Sequence, residues 1–320
     1  MNKKLLSGLA LAFAIAIPAY FLGREFSLVG GPVFGILLGL LLAKIPRPEH
    51  FSAGISFTGK KVLQYAIILL GFQMNFYYVV DTGINSLAIM LLTIAAAFLT
   101  AYYLGRRLGI DRDITVLIGS GTAICGGSAI AAVAPVINAK DKDIAFSIST
   151  IFFFNVLAVF IFPAIAHVVG MDDLTFGMWA GTAINDTSSV VAAGYAYSDA
   201  AGEYATIVKL TRALMIIPVC LIIAAIFNRG KNFSLKKIFP MFILYFVIAS
   251  IIATTGILPT ALSLALAEVG KFMIVMAMVA IGLNTDLVKL VTQGGRPLLL
   301  GAATWAAVAV VALLLQGILL

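Results

Sequence analysis

Two stretches place residues able to handle a charged solute inside an otherwise apolar chain. Gly-Thr-Ala-Ile occurs at Gly121 to Ile124 and again at Gly181 to Ile184; the first copy runs into Cys125, Gly126, Gly127 and Ser128, the second into Asn185, Asp186, Thr187 and Ser188. Glycine frees the backbone, and Ser, Thr and Asp cap helices, so each stretch should end one helix and start another. The free N–H groups and positive dipole end of each new half-helix suit an anion. Helix-breaking backbone is tolerated at membrane depth where it is buried in protein or lines a wet cavity, which makes two such breaks a mark of a solute pathway. Close packing of small residues accounts for Gly126 and Gly127 without any ligand; it does not account for Asn185 and Asp186.

Asp186 is the sharpest single residue. A carboxylate in mid-membrane costs at least about 2.5 kcal/mol on insertion scales, so it should face a cavity or a partner and carry a coupling proton or help hold a cation such as sodium. Capping the following half-helix is the plainer role, and the two roles coexist. Lys209 and Arg212 share a helix face at i, i+3. Pointing inward, they offer an ammonium and a bidentate guanidinium to an oxyanion or a partner to Asp186; pointing outward, they snorkel to headgroups. The residue types do not choose between these. Glu268 and Lys271 repeat the spacing with opposite charges and read as an ion pair at a span end.

The elements that position these residues follow from composition. Of the 320 residues, 62% are hydrophobic and only 11% charged, too apolar for a soluble surface. Apolar segments fall at roughly 5 to 22, 28 to 44, 62 to 80, 86 to 105, 114 to 138, 143 to 168, 174 to 198, 204 to 227, 238 to 257, 268 to 288 and 297 to 319. The expected architecture is an all-α polytopic membrane protein of about 11 segments, one transmembrane domain over residues 1–320. Lys3 and Lys4 followed by Leu5 to Ile17 imitate a secretory signal, but the apolar run continues to Leu22 and reads as an uncleaved span. There is no Walker-type loop or Rossmann fingerprint, so ATP hydrolysis on this chain is excluded and no cofactor is expected. Cys125 and Cys220 both lie in apolar segments and His50 and His167 match no metal-ligand spacing, which argues against a disulfide and a metal site.

The net charge of +7 is not the footprint of a nucleic-acid partner. Lys3, Lys4, Lys44, Arg47, Lys60, Lys61, Arg106, Arg107, Arg112, Arg229, Lys231, Lys236, Lys237, Lys289 and Arg296 fall in alternate connections, the positive-inside pattern for a cytoplasmic N-terminus. Eleven full spans would put Lys140 and Lys142 on the wrong side. If segments 114 to 138 and 174 to 198 dip in and return, those lysines change sides and the two Gly-Thr-Ala-Ile tips enter from opposite faces. A second echo supports inverted repetition, with approximate halves 1–140 and 141–320: Gly59-Lys60 precedes Gly71 and Gly83 at the intervals by which Gly270-Lys271 precedes Gly282 and Gly294. Gln73 and Asn75 in one copy parallel Asn284 and Asp286 in the other.

The segments Gly121 to Ile137, Asn185 to Gly194, Val208 to Arg212 and Gly295 to Gly301 resemble the signatures of the YeiH family, bacterial inner-membrane proteins labelled as sulfate exporters. The resemblance spans essentially the whole chain. It implies an organisation similar to sodium/proton antiporters and bile-acid:sodium symporters: inverted five-helix repeats, a panel, and a core whose discontinuous helices cross at the midplane. On that analogy crossing broken helices compete with re-entrant hairpins, and the partner of segment 114 to 138 becomes segment 268 to 288, broken near Gly282, Leu283 and Asn284. Where many relatives are expected to carry His-Asp, this chain has Asn185-Asp186, so a histidine relay is not available there.

The leading function is secondary transport of a small anion across the bacterial inner membrane by alternating access, with Thr122, Cys125, Gly126, Gly127, Ser128, Asn185, Thr187, Ser188, Lys209, Arg212 and Asn284 as solute contacts and Asp186 as the coupling group. Sulfate, another sulfur oxyanion or a small organic anion is the expected solute, coupled to H+ or Na+, with a homodimer left open as the assembly. An anion channel with re-entrant pore elements is the alternative, weakened by the lack of rings of like charge or a carbonyl filter. A membrane-embedded enzyme ranks third, since neither Cys125 nor Ser128 has a histidine base beside it.

Overall fold

The structure, a computed structural model, describes residues 3–26, 29–227, 239–285 and 295–319. Arg229, Lys231, Lys236, Lys237 and Lys289 of the basic pattern, and Asp286 and Gly294 of the echo, lie outside the described residues, as do the side chains of Lys3 and Lys4. Every described element is helical: α1 (Lys3–Glu25), α2 (Gly31–Leu42), α3 (Ser52–Phe57), α4 (Leu63–Leu70), α5 (Phe76–Arg107), α6 (Arg112–Ala123), α7 (Gly127–Ile137), α8 (Asp141–Val169), α9 (Asp173–Ala183), α10 (Thr187–Tyr197), α11 (Asp199–Leu214), α12 (Ile216–Phe227), α13 (Met241–Thr254), α14 (Thr260–Leu283) and α15 (Gly295–Leu319). Seven continuous helical stretches among the described residues are long and apolar enough to cross a bilayer alone. Helices α2, α7 and α13 are apolar but shorter.

The expected boundaries shift at several places, most clearly before α5. Segment 62 to 80 is not one helix: the stretch begins at Glu49, passes through a π turn at Thr58–Val62 and ends at Gln73. Asn75 then caps α5, its side chain accepting from the Tyr77 backbone N–H at 2.8 Å. A good N-cap in mid-run outweighs the continuous hydrophobicity around it. Lys60 and Lys61 therefore lie within a helical stretch, on its exposed side, where a connection was expected.

Both broken segments turn back on themselves. Gly177 and Gly181 of α9 lie against Tyr204 and Val208 of α11, so these helices run parallel, whereas Gly194 of α10 lies against Gly202, so α10 runs antiparallel to α11. The base of this hairpin is tied: Ser198 donates to the Asp173 carboxylate at 2.6 Å, and the Tyr197 hydroxyl donates to the Met171 carbonyl. Asp172 caps α9, and donation from the hydroxyl and backbone N–H of Thr175 holds its carboxyl below the ordinary carboxylate range. In the first segment Gly121 lies against Ile130 across the break, a contact that two collinear helices about 13 Å apart at those residues would not make. Helix α7 packs on α12, whose last residue Phe227 is covered by the Arg112 guanidinium at 4.1 Å, so α7 returns toward the end where α6 began. Lys140 and Lys142 thus join Arg112 at that end, and Asp172 and Asp173 sit at the other.

The remaining helices carry the inverted repetition. An offset of 211 residues relates Gly59 to Gly270, and the contacts obey it: Gly59 lies against Ile281 while Gly270 lies against Leu70. Gly39 against Gly282 is matched, one residue out of that register, by Gly71 against Ala249. Such self-complementary contacts are what a two-fold axis produces. A panel of α1, α2, α3, α4, α13 and α14 forms around this axis, with its own apolar cluster between α1, α2 and α14. The hairpins, α5, α8, α11, α12 and α15 form the core beside it, and Gly30 against Ala196 joins the two.

The out-and-back path is directly testable. Cysteines introduced together at Asp173 and Ser198 should cross-link efficiently with a short thiol reagent, as seen by mass spectrometry of the digested protein. A crossing helix of about 33 Å would hold these positions at opposite faces and give no link.

Candidate functional site

The tips of the two hairpins meet. Each is a helix, a three-residue break and a second helix: Ile124, Cys125 and Gly126 in the first, Ile184, Asn185 and Asp186 in the second. Gly126 adopts φ of 67°, a backbone region that side chains resist, and a Cβ there would lie 3.2 Å from that of Asp186. Asn155 on α8 supports the junction, its side-chain oxygen accepting from the Asp186 backbone N–H at 3.2 Å.

Lys209 and Arg212 point inward and are fully buried, not snorkelled to a surface. Their donors go to the carbonyls that end the two inbound helices. Lys209 Nζ donates to Ile124 at 2.7 Å and Ile184 at 2.8 Å. Arg212 donates through Nε to Ala123 at 2.7 Å, through Nη2 to Thr122 at 2.8 Å, and through Nη1 to Thr182. Helix C-termini carry about half a negative charge and several orphan carbonyls, so two cations between two such ends satisfy both the charge and the hydrogen bonds. The i, i+3 spacing lets one residue reach the tip-most carbonyls, Ile124 and Ile184, and the other those one or two residues earlier.

The outbound helices start beside the same junction. Asp186 caps α10, its carboxylate accepting from the Ser188 backbone N–H at 2.9 Å and from the Ser188 hydroxyl. The Asp186 and Thr187 side is half-buried, Gly127 is half-buried and Ser128 is exposed. Asn185 is fully buried, and neither its amide nitrogen nor its oxygen has a partner among the described residues; the Thr122 hydroxyl is buried and unpartnered too. Leaving such groups unpaired costs about 1–3 kcal/mol each, which marks the tips as incomplete without something else.

Of the twelve residues singled out from sequence, eleven come together here. Asn284 does not: it sits exposed at the end of α14, which runs unbroken from Thr260 to Leu283, and no described hydrogen bond ties it to either tip. The helix stops at the expected position, Leu283, but through Thr285 no described hydrogen bond ties segment 268 to 288 to the first hairpin, and residues 286 to 288 lie outside the described residues. The α14 end is instead finished from outside, with Arg47 donating to the Leu283 carbonyl at 2.6 Å. Sequence reading missed Asn155, whose only signal was an amide in the middle of an apolar helix. Cys125 and Cys220 are buried free thiols, and no described group of three or more His, Cys, Asp or Glu could hold a metal. Glu268 and Lys271 do pair at 3.1 Å, and Lys271 also reaches Asp199 at 2.7 Å.

Comparison with known proteins adds a family and relatives. The family described as Conserved hypothetical protein 698 matches residues 7–301. UPF0324 membrane proteins from Fusobacterium nucleatum and from Streptococcus mutans are 47% and 48% identical, over 100% and 98% of this chain and 99% and 97% of their own. A solved sodium proton antiporter, MjNhaP1 from Methanocaldococcus jannaschii, aligns over 97% of this chain and 99% of its own at 14% identity and a TM-score of 0.29, an overlap too loose to bear on function.

The clamp makes a stability prediction. Arg212→Gln should cost about 3 kcal/mol or more, since it removes three charge-assisted bonds and leaves buried carbonyls unpaired. Thermal unfolding in detergent would show this as a large drop in midpoint. A wild-type midpoint would mean that the guanidinium is free for another task.

Proposed function

This chain belongs to the family described as Conserved hypothetical protein 698, and we propose that it is a secondary active transporter of a small anion. The observation that supports this reading is the meeting of two hairpin tips whose outbound helices start beside a buried, unpartnered Asn185. Helix N-termini and polar side chains converging inside an apolar bundle are what binding a negative solute requires. Alternating access would arise from movement of the core, with its tips, against the panel. The sulfate-exporter resemblance makes sulfur oxyanions the first solutes to try, with small organic anions next.

Asp186 is the coupling group in this scheme, binding H+ or Na+ in step with the solute. The setting is the bacterial inner membrane. Arg47, Arg106, Arg107, Arg112, Lys140 and Lys142 favour the cytoplasm for their end of the bundle, which also places the N-terminus there. The relatives' names state only that they are membrane proteins.

Solute counterflow in proteoliposomes separates a carrier from a channel. A carrier is accelerated by unlabelled solute on the far side, whereas a channel is indifferent to it. Asp186→Asn should abolish the response of uptake to a pH or sodium gradient; a variant with an unchanged gradient response would remove Asp186 from coupling.

A further inference from the structure

We infer that the tip site, taken as the solute site proposed above, holds a surplus of one positive charge while no coupling ion sits on Asp186 and in that state selects monovalent oxyanions, with the Asp186 carboxylate setting that valence. Lys209 and Arg212 contribute two positive charges with no solvent exposure. Every hydrogen bond described for them ends on a backbone carbonyl, not on an acid. The two helix ends that they cap carry about −0.5 each, and the N-termini of α7 and α10 carry about +0.5 each, so the four dipole ends cancel. Asp186 offsets one of the two cations. The sum is one positive charge.

The nearest acids along α11 do not change it. Asp199 is engaged by Lys271 at 2.7 Å, and Glu203 accepts from Gln73, six residues and about 9 Å before Lys209 on the helix. The other elements at the tips add no charge: α8 gives Asn155, and the first break gives Cys125 and Gly126. An uncompensated buried charge is costly, and a solute carrying one negative charge removes that cost.

A second observation points to the same ligand independently of charge. The Asn185 amide and the Thr122 hydroxyl are buried with no described partner, one on each hairpin. Both can donate to oxygen, so each hairpin brings a donor suited to an oxyanion. A spherical halide would meet the charge but would match a spread set of donors less well.

The test uses full-length protein in detergent, free of sodium and at a pH where carboxylates are ionised, with affinities for methanesulfonate and nitrate as monoanions and sulfate and selenate as dianions. Wild type should bind the monoanions more tightly. Asp186→Asn and Asp186→Ser both keep an N-cap for α10 while removing the charge, and each should shift the dianion-to-monoanion affinity ratio upward by about tenfold or more. Asp186→Glu should keep the wild-type order. An unchanged ratio in whichever neutral variant folds, or a wild type that prefers the dianions, overturns the inference while leaving a solute site in place. Wild type that binds none of the four anions overturns the inference and counts against the solute site beneath it.

Discussion

Five backbone carbonyls from two helix ends converge on Lys209 and Arg212, and the rest of the core depends on that convergence. A helix that stops inside an apolar bundle leaves carbonyls that water does not reach, and two such ends facing each other would also repel. Two cations between them turn a double liability into one junction. The cations need the carbonyls equally, because neither has a carboxylate partner among the described residues and burial of an unpaired charge is prohibitive. Each half of the junction makes the other half tolerable.

That junction fixes geometry beyond itself. Because Lys209 binds Ile124 and Ile184 together, the two tips are held at one level, and the outbound helices α7 and α10 must start side by side. Small residues let the hairpins lie close to α11: Gly181 against Val208 and Gly194 against Gly202 are backbone-close contacts that any larger side chain would push apart. Asn155 adds the third element, so that Asp186 is presented from a braced backbone. Against this rigid core the panel is built by a different rule, a two-fold arrangement of glycine contacts at a 211-residue offset, and the core meets it at Gly30 and Ala196.

The same junction separates structural from ligand-facing polarity. Lys209 and Arg212 look like solute ligands from their types, yet their donors are taken up by the protein. Asn185 draws less attention by type than its neighbour Asp186, yet its amide is the group left without a described partner. Burial and hydrogen-bond accounting therefore move attention from the cations to the amide and hydroxyl on the tips.

Much was legible from residue order alone, for stated reasons. Hydrophobic runs announce helices in lipid because backbone groups have no other partner there, and Gly, Ser, Thr and Asp at positions 126 to 128 and 186 to 188 announce their interruption. Lys140 and Lys142 even indicated the hairpin path, since basic residues stay on one side. Three things were not legible. Whether Lys209 and Arg212 faced lipid or carbonyls depended on which helix ends lay 85 to 90 residues away in sequence. What finishes the α14 end at Leu283 depended on Arg47, 236 residues away in sequence. That Asn155 belonged to the site depended on its neighbours, not on its type. Local composition determines where a chain must bend; only the packed structure decides which distant group satisfies the backbone that bending exposes.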